Sequence, residues 1–99
     1  SMCSPFQLKV LLAERSIPRG MTASYSWLAR RAGTRAVRAA GSALARNPFP
    51  ILVPCHRAVR SDRTVGMYQG GPIMKRRLLE MEGVRFDPDG RVARDCFLP

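Results

Sequence analysis

Residues 47–59, NPFPILVPCHRAV, carry the strongest chemical signal in the sequence, because Cys55 is followed directly by His56 and Arg57. A cysteine thiol becomes a good nucleophile when an imidazole, a cation or a helix N-terminus stabilises its thiolate, against an ordinary pKa of about 8.5. His56 is the only histidine in the chain, so it is the candidate proton acceptor, directly or through water. The pattern indicates a reactive thiol behind a stiff, proline-rich segment.

A proton-accepting imidazole is usually oriented by a carboxylate, and this chain has few of them. The candidates are Asp62, Glu80 and Glu82, and the residues alone do not separate them. Successive residues of an extended chain point to opposite sides, which disfavours direct contact between Cys55 and His56. A bridging water is therefore the favoured arrangement.

Less reactive interpretations of the same residues stay open. A single cysteine is often a small buried apolar residue, and a single histidine often has only a structural hydrogen bond. Cys3, Cys55 and Cys96 form an odd, irregular set, which disfavours a disulfide framework and indicates a reducing compartment with at least one free thiol. Together with one histidine they offer no ligand pair at zinc-binding spacing, so we expect no metal and no cofactor.

The chain has 17 basic and 7 acidic residues, and 15 of the basic residues are arginine. The excess is concentrated in residues 1–79, whose balance is +12, while residues 80–99 have a balance of −2. Such a field suits a polyanion, and the planar guanidinium group suits phosphates and base edges. Nucleic acid is therefore the expected partner, and a basic surface without a partner is the weaker alternative.

Length and composition predict one domain over residues 1–99, since 99 residues with 45% apolar content can form one modest core. No apolar run approaches the roughly 20 residues that cross a bilayer, and the N-terminus lacks a signal-peptide pattern. We therefore expect no membrane partner and a soluble, intracellular monomer, in the cytoplasm of a prokaryote or the nucleus of a eukaryote.

Helices are the main elements that would position the thiol. A proline directly after Ser4 predicts a first helix over about residues 5–15. Thr22 or Ser24 can cap a second helix that ends at a glycine, and Thr34 can cap a third.

The second and third helices, joined by the glycine turn, predict a helix-turn-helix over about residues 24–46. Helical spacing in the third helix gives it an apolar face and a face rich in arginine and small residues. We expect Val37, Ala40 and Leu44 to point inward. We expect the opposite, outward face to hold Arg35, Arg38, Ser42 and Ala45.

Prolines exclude a helix over residues 47–59, which are expected to form an active-site loop with short extended pieces. Gly71-Pro72 predicts the start of a terminal helix over about residues 72–83. Its expected inward residues are Met74, Leu78 and Met81. FDPDGRV predicts a turn between two short strands. The predicted fold is mainly α with short strands, a winged-helix-like helix-turn-helix domain that carries a buried active-site cysteine.

The sequence resembles the O6-alkylguanine-DNA alkyltransferases, proteins that remove alkyl groups from guanine by accepting them irreversibly. The resemblance covers about residues 5–83 and is carried by PFQLKVLLAERSIPRGMTASYSWLARRAG, RAVRAAGSALARNPFPILVPCHRAV, VGMYQGG and RRLLEMEG. Its most specific part is Pro-Cys-His-Arg with Asn-Pro upstream. The resemblance implies direct-reversal DNA repair, in which a single-turnover methyltransferase takes the alkyl group from O6-alkylguanine in double-stranded DNA.

The resemblance also implies a role for each site residue. Cys55 would accept the alkyl group, His56 would act as the base through water, and Glu82 would orient His56. Asn47 would lie in a hinge before the active-site loop, and Tyr68 would donate a hydrogen bond to the extruded purine. The expected substrate pocket adds Val53, Met67, Gly70 and Lys75.

On the DNA side, the resemblance implies that Arg38 fills the gap left by the extruded base and that Tyr25 presses on the phosphate of the target nucleotide. Extrusion is needed because the alkylated oxygen lies within the base stack. The small residues on the third helix suit entry into the narrow minor groove. Further expected DNA contacts are Thr22, Ser24, Arg35 and Ser42.

The sequence departs from the family pattern at Ala58, where valine is usual, and at Met67, where asparagine is common. We expect the catalytic domain alone, without the N-terminal domain that many members carry, sometimes with zinc. An alternative is a protein like the alkyltransferase-like proteins, which flip alkylated guanine and recruit other repair factors without transfer. Those proteins typically lack the acceptor cysteine, so Cys55 favours transfer. A basic nucleic-acid-binding protein without chemistry is the third possibility.

Overall fold

The computed structural model describes residues 4–45, 55–66 and 71–99, and for Ala45 and Cys55 it describes the backbone alone. The helices in these ranges are α1 (Pro5–Arg15), α2 (Tyr25–Arg31), α3 (Val37–Ala45) and α4 (Pro72–Met81). The strands are β1 (Thr22–Ser24), β2 (Ala58–Val59) and β3 (Phe97–Leu98), and two 3-10 turns span Cys55–Arg57 and Arg94–Cys96. The predicted fold class, mainly α with short strands, is confirmed.

Side-chain caps place the helix starts. The Ser4 hydroxyl accepts a hydrogen bond from the Gln7 N–H at 3.0 Å, and proline follows at the first helical position, as predicted. For α2 the cap is Ser24, whose hydroxyl accepts from the Trp27 N–H at 3.0 Å. Before α3, the Thr34 hydroxyl accepts from the Ala36 N–H at 3.0 Å. The helix-turn-helix therefore consists of α2 and α3.

Thr22, the other candidate cap, lies instead in β1, the central strand of a parallel sheet with the order β2-β1-β3. Ala23 pairs with Ala58 on one side and with Leu98 on the other. The Thr22 hydroxyl donates to the carbonyl oxygen of Cys96 at 2.7 Å and helps to join β1 to the segment that precedes β3. The sheet thus links the start of the helix-turn-helix to two distant parts of the chain.

The three N-terminal helices enclose the larger apolar cluster, to which Val10, Leu11, Leu28 and Leu44 contribute buried side chains. Burying a leucine stabilises the fold by about 1.5–3 kcal/mol. The predicted inward position of Val37 is wrong, because this side chain is 38% exposed at the first residue of α3. The inward face of α3 is instead formed by Ala40, Ala43 and Leu44.

Helix α4 starts after Gly71, whose φ is +91°, and ends at Met81, two residues before the predicted end. Its predicted inward face is wrong. Met74 and Met81 are 51% and 76% exposed, whereas Lys75 and Leu79 are fully buried. Lys75 and Leu79 are four residues apart and share a face. A pattern of hydrophobic residues assigns lysine to the solvent-exposed side of a helix. Such a pattern therefore cannot identify an inward face that contains the buried Lys75.

The turn predicted at FDPDGRV is confirmed, although the flanking strands reduce to a single bridge between Phe86 and Val92. The Gly90 N–H donates to the Asp87 carbonyl at 2.9 Å, and glycine permits the φ of +87° found there. Arg63 donates to the carboxylate of Asp87 and to the Val92 carbonyl, both at 2.8 Å. In the described part of the chain, no helix has the length and apolar content to cross a membrane.

Candidate active site

His56 and Glu82 meet at the end of α4. Cys55 and His56 lie in one 3-10 turn, and the short extended piece expected after them is confirmed as β2. His56 is 7% exposed, and its Nε2 lies 3.1 Å from Oε1 of Glu82. The other candidate carboxylates have different partners: Asp62 binds Thr64, and Glu80 lies near Arg76. Proximity therefore selects Glu82.

Arg57 holds the same carboxylate from the other side. Its Nε donates to Oε1 of Glu82 at 2.9 Å and its Nη2 to Oε2 at 2.8 Å, the two-pronged geometry that arginine and carboxylate favour. Its Nη1 donates to the carbonyl of Ile17 at 2.9 Å. Sequence analysis did not assign Arg57 a role. The feature that could have identified Arg57 is its position directly after His56, in a chain with few acidic residues for an arginine to pair with.

The surroundings of His56 favour its neutral form. Burial is the main cause of its lowered pKa, and the positive charges of Arg57 and Lys75 lower that pKa further against the opposing effect of Glu82. Burial would raise the pKa of Glu82, but the contacts with Arg57 and His56 outweigh it and hold that pKa below its usual value. A neutral imidazole beside a carboxylate is suited to accepting a proton.

Two further buried ionisable residues adjoin this pair. Lys75 is 0% exposed, and its Nζ lies 5.9 Å from the centre of the Tyr25 ring, which places the predicted pocket lysine beside the predicted phosphate contact. Glu14 of α1 is also 0% exposed. Sequence analysis missed Glu14, although it is the only acidic residue in residues 1–61 and follows Val10 and Leu11 at helical spacing.

Arg38 and Ser42 are exposed on α3, and Arg35 is exposed two residues before this helix begins, as predicted for a surface that contacts DNA. Thr22 and Ser24 require a correction, because their side chains are only 0% and 1% exposed. Their hydroxyls bond to the Cys96 carbonyl and the Trp27 N–H, respectively. Residues that stabilise the sheet and the start of α2 were mistaken for DNA contacts, because a hydroxyl serves both purposes equally well.

Part of the predicted site falls outside the described residues, namely Asn47, Val53, Met67, Tyr68 and Gly70. For Cys55 only the backbone is described, so the burial of its thiol stays a prediction. Cys96 is a buried free cysteine in the second apolar cluster, with Val59 and Leu79. The expectation of at least one free thiol is confirmed.

Comparison with known proteins identifies relatives over most of the chain. The family model described as "6-O-methylguanine DNA methyltransferase, DNA binding domain" matches residues 5–84. The methylated-DNA–protein-cysteine methyltransferase of Methanothermobacter thermautotrophicus is 54% identical over 85 residues, which are 86% of this chain and 48% of that protein. The mouse protein of the same name is 50% identical over 75% of this chain and 35% of its own length. The chain thus spans about half or less of these relatives.

Solved structures give the same result. Mycobacterium tuberculosis OGT in complex with DNA has 42% sequence identity and a TM-score of 0.77, covering 81% of this chain and 50% of that one. Schizosaccharomyces pombe Atl1 in complex with DNA containing O6-carboxymethylguanine has 26% identity and a TM-score of 0.78. That match covers 95% of this chain and 94% of Atl1.

Proposed function

Because the chain belongs to the 6-O-methylguanine DNA methyltransferase family, in the part described as its DNA-binding domain, we propose that it repairs O6-alkylguanine in double-stranded DNA. The alkyl group is transferred irreversibly to Cys55. The damage is thereby reversed directly, and because Cys55 is not regenerated, the protein is a single-turnover methyltransferase. The observation that carries this proposal is the buried pair of His56 and Glu82 in and beside the 3-10 turn that begins at Cys55.

The reaction is a one-step displacement. The thiol of Cys55 passes its proton through water to neutral His56, and Glu82 stabilises the resulting imidazolium. The thiolate sulfur attacks the alkyl carbon, forming a carbon–sulfur bond as the bond between that carbon and O6 breaks. The electron pair stays on guanine, which takes up one proton from water while the His56 imidazolium returns one to water, and Tyr68 is the proposed hydrogen-bond donor to the purine. The product thioether is not regenerated, so each molecule acts once.

Delivery of the base is proposed for the helix-turn-helix. Exposed Arg35 and Arg38 approach the duplex, and Arg38 enters the stack where the damaged nucleotide leaves it. Tyr25, at the first residue of α2, presses on the target phosphate. A Cβ added to Gly41 would lie 3.8 Å from the Tyr25 ring, an ordinary van der Waals distance, so Tyr25 lies directly beside α3. The protein is proposed to act as a monomer.

The pocket is proposed to include Val53, Met67, Gly70 and Lys75, with Asn47 as the hinge before the active-site loop. Lys75 is supported by its burial beside Tyr25. Arg35 and Ser42 are proposed phosphate contacts because both are exposed, Arg35 just before α3 and Ser42 one helical turn after Arg38. Such contacts position the protein on DNA without reading its sequence.

Intact-mass measurement tests the proposed transfer. The protein is incubated with a duplex containing O6-methylguanine, and the expected result is the mass of one added methyl group, located on the peptide that contains Cys55. Cys55→Ser should gain no methyl group. Cys96→Ser is the matched control, since this buried thiol belongs to the apolar core and its replacement should leave the transfer in place. An unmodified wild-type protein, still folded, would contradict the proposal.

A second function is favoured by the match to Atl1, which extends over nearly the whole of both chains. In this alternative the protein binds and flips O6-alkylguanine and recruits other repair factors without transfer. It predicts tight binding to the damaged duplex and an unchanged protein mass. Equal binding to damaged and undamaged duplexes, with no effect of Cys55→Ser, would instead indicate a basic nucleic-acid-binding protein.

A further inference from the structure

Glu14 lies one residue before the end of α1 and is completely buried. Neither of its carboxylate oxygens has a hydrogen-bond partner in the described part of the chain. Burying a carboxyl group without hydrogen bonds is unfavourable, and an apolar side chain of similar volume would stabilise the same position. A group retained at such a cost indicates a role beyond packing.

Two cations act on Glu14 from two other elements. They are Lys75 of α4, itself fully buried, and Arg57 of the 3-10 turn Cys55–Arg57. Arg57 is held beside the end of α1 because its Nη1 donates to the Ile17 carbonyl at 2.9 Å. Burial raises the pKa of Glu14 well above its ordinary value, and the two cations oppose that increase.

The same cations act on His56, where each of them lowers the pKa of the imidazole. Glu82, the second carboxylate, contacts both His56 and Arg57. The α2 helix contributes the Tyr25 ring to this region. The arginines of α2 and α3, which also pack on α1, are exposed, namely Arg30, Arg31 and Arg38. The same two cations, Lys75 and Arg57, therefore act on both Glu14 and His56.

We propose that Glu14 is a positioning residue of the alkyl transfer, which acts through Lys75 and Arg57 on the charge around His56 and Cys55. The inference rests on the function proposed above. When Glu14 is protonated, Lys75, Arg57 and Glu82 together leave one net positive charge beside neutral His56. When Glu14 is ionised, this net charge falls to zero. Positive charge stabilises a thiolate, so ionised Glu14 raises the pKa of Cys55.

The Cys55 pKa tests this role without DNA. The rate of Cys55 alkylation by iodoacetamide is measured against pH, with the modified peptides of the three cysteines resolved by mass. In Glu14→Gln the side chain is neutral at every pH, so the cations act in full on the thiol. Because Lys75 and Arg57 oppose the increase in its pKa, Glu14 is proposed to ionise at a lower pH than the thiol, so the apparent Cys55 pKa of Glu14→Gln is expected about one unit below that of the wild type. An unchanged or raised pKa in folded Glu14→Gln would overturn the proposal.

Three further variants separate this role from a structural one. Glu14→Met fills the same volume without charge, should give the same decrease in pKa, and serves where glutamine impairs folding. Glu80→Gln removes an equal charge from a half-exposed carboxylate and should leave the Cys55 pKa unchanged. In a Lys75→Met background, Glu14→Gln should shift the Cys55 pKa less than it does in the wild-type background. An equal shift in both backgrounds would exclude action through Lys75.

Methyl transfer is measured on the same proteins. Suppose that the wild type accepts a methyl group, and that the Cys55 pKa and the transfer rate of Glu14→Gln both match those of the wild type. This result would overturn the role of Glu14 and leave the proposed function in place. Wild type that accepts no methyl group would overturn the proposed function, and the positioning role with it. The two failures are therefore distinguishable.

Discussion

Glu82 binds two different partners with one carboxylate: it accepts two hydrogen bonds from Arg57 and lies beside His56. Its side chain is 9% exposed and that of Arg57 14%, so water replaces these contacts poorly if one partner is removed. Breaking a largely buried ion pair costs more than the pair contributes, because the remaining charge stays in the core. Stability and proton transfer should therefore both depend on Glu82.

We expect Glu82→Gln to lower the free energy of unfolding by about 2–3 kcal/mol, because Arg57 loses its charged partner. The rate of methyl transfer should fall at least about 10-fold, since His56 loses the group that stabilises its imidazolium. Urea titration and single-turnover kinetics measure the two effects. Glu80→Gln is the control and should change the free energy of unfolding by less than about 0.5 kcal/mol. Wild-type kinetics in Glu82→Gln would exclude this use of the carboxylate.

At single positions, the sequence identified the side chains whose reactivity follows from their residue type. His56 was identified because it is the only histidine in the sequence, and Glu82 was among three carboxylates that the residues alone did not separate, although the family resemblance indicated Glu82. Arg57 and Glu14 were missed because their importance comes from what faces them. A carboxylate in α1 and a lysine in α4 are about 60 residues apart, and only tertiary packing places their charges in one low-dielectric region.

Among the elements, the helices were predictable and the sheet was not. Ser4 and Ser24 bond to the backbone N–H groups of their own helices, so local sequence carries the information. Strands of two or three residues are too short for an alternating pattern, and their pairing depends on distant parts of the chain. Sequence analysis therefore gave Thr22 a capping or DNA-contacting role that its burial in β1 excludes.

Replacing Thr22 tests that correction. Thr22→Val keeps the shape of the side chain but leaves the buried Cys96 carbonyl without its hydroxyl donor. The free energy of unfolding should fall by about 1–2 kcal/mol, while affinity for duplex DNA should stay unchanged once the protein is folded. Ser61→Ala, which removes an exposed hydroxyl with only a 3.4 Å contact to Ser26, is the control for stability. Weakened DNA binding at wild-type stability would restore Thr22 as a DNA contact.

Over the whole molecule, the formal net charge of +10 predicts how association with DNA depends on salt. Each phosphate neutralised by a basic side chain releases counterions, so the logarithm of affinity should fall linearly with the logarithm of salt concentration. Arg35→Ala should weaken binding to all duplexes similarly and reduce the slope by about 1. Fluorescence anisotropy over a salt series measures this slope. Arg94→Ala, which removes an exposed arginine from the other 3-10 turn, should leave the slope unchanged.

The parallel pairing of β1 with β3 also has a kinetic consequence. The hydrogen bond between Thr22 and Cys96 joins residues 74 positions apart, whereas α2 and α3 are neighbours along the chain. Closing so long a loop loses much chain entropy before any contact compensates for it, so pairings of this kind form late. The helix-turn-helix should therefore acquire its structure earlier than the sheet. The helix-turn-helix surface that is proposed to contact DNA would then fold before β1 pairs with β3.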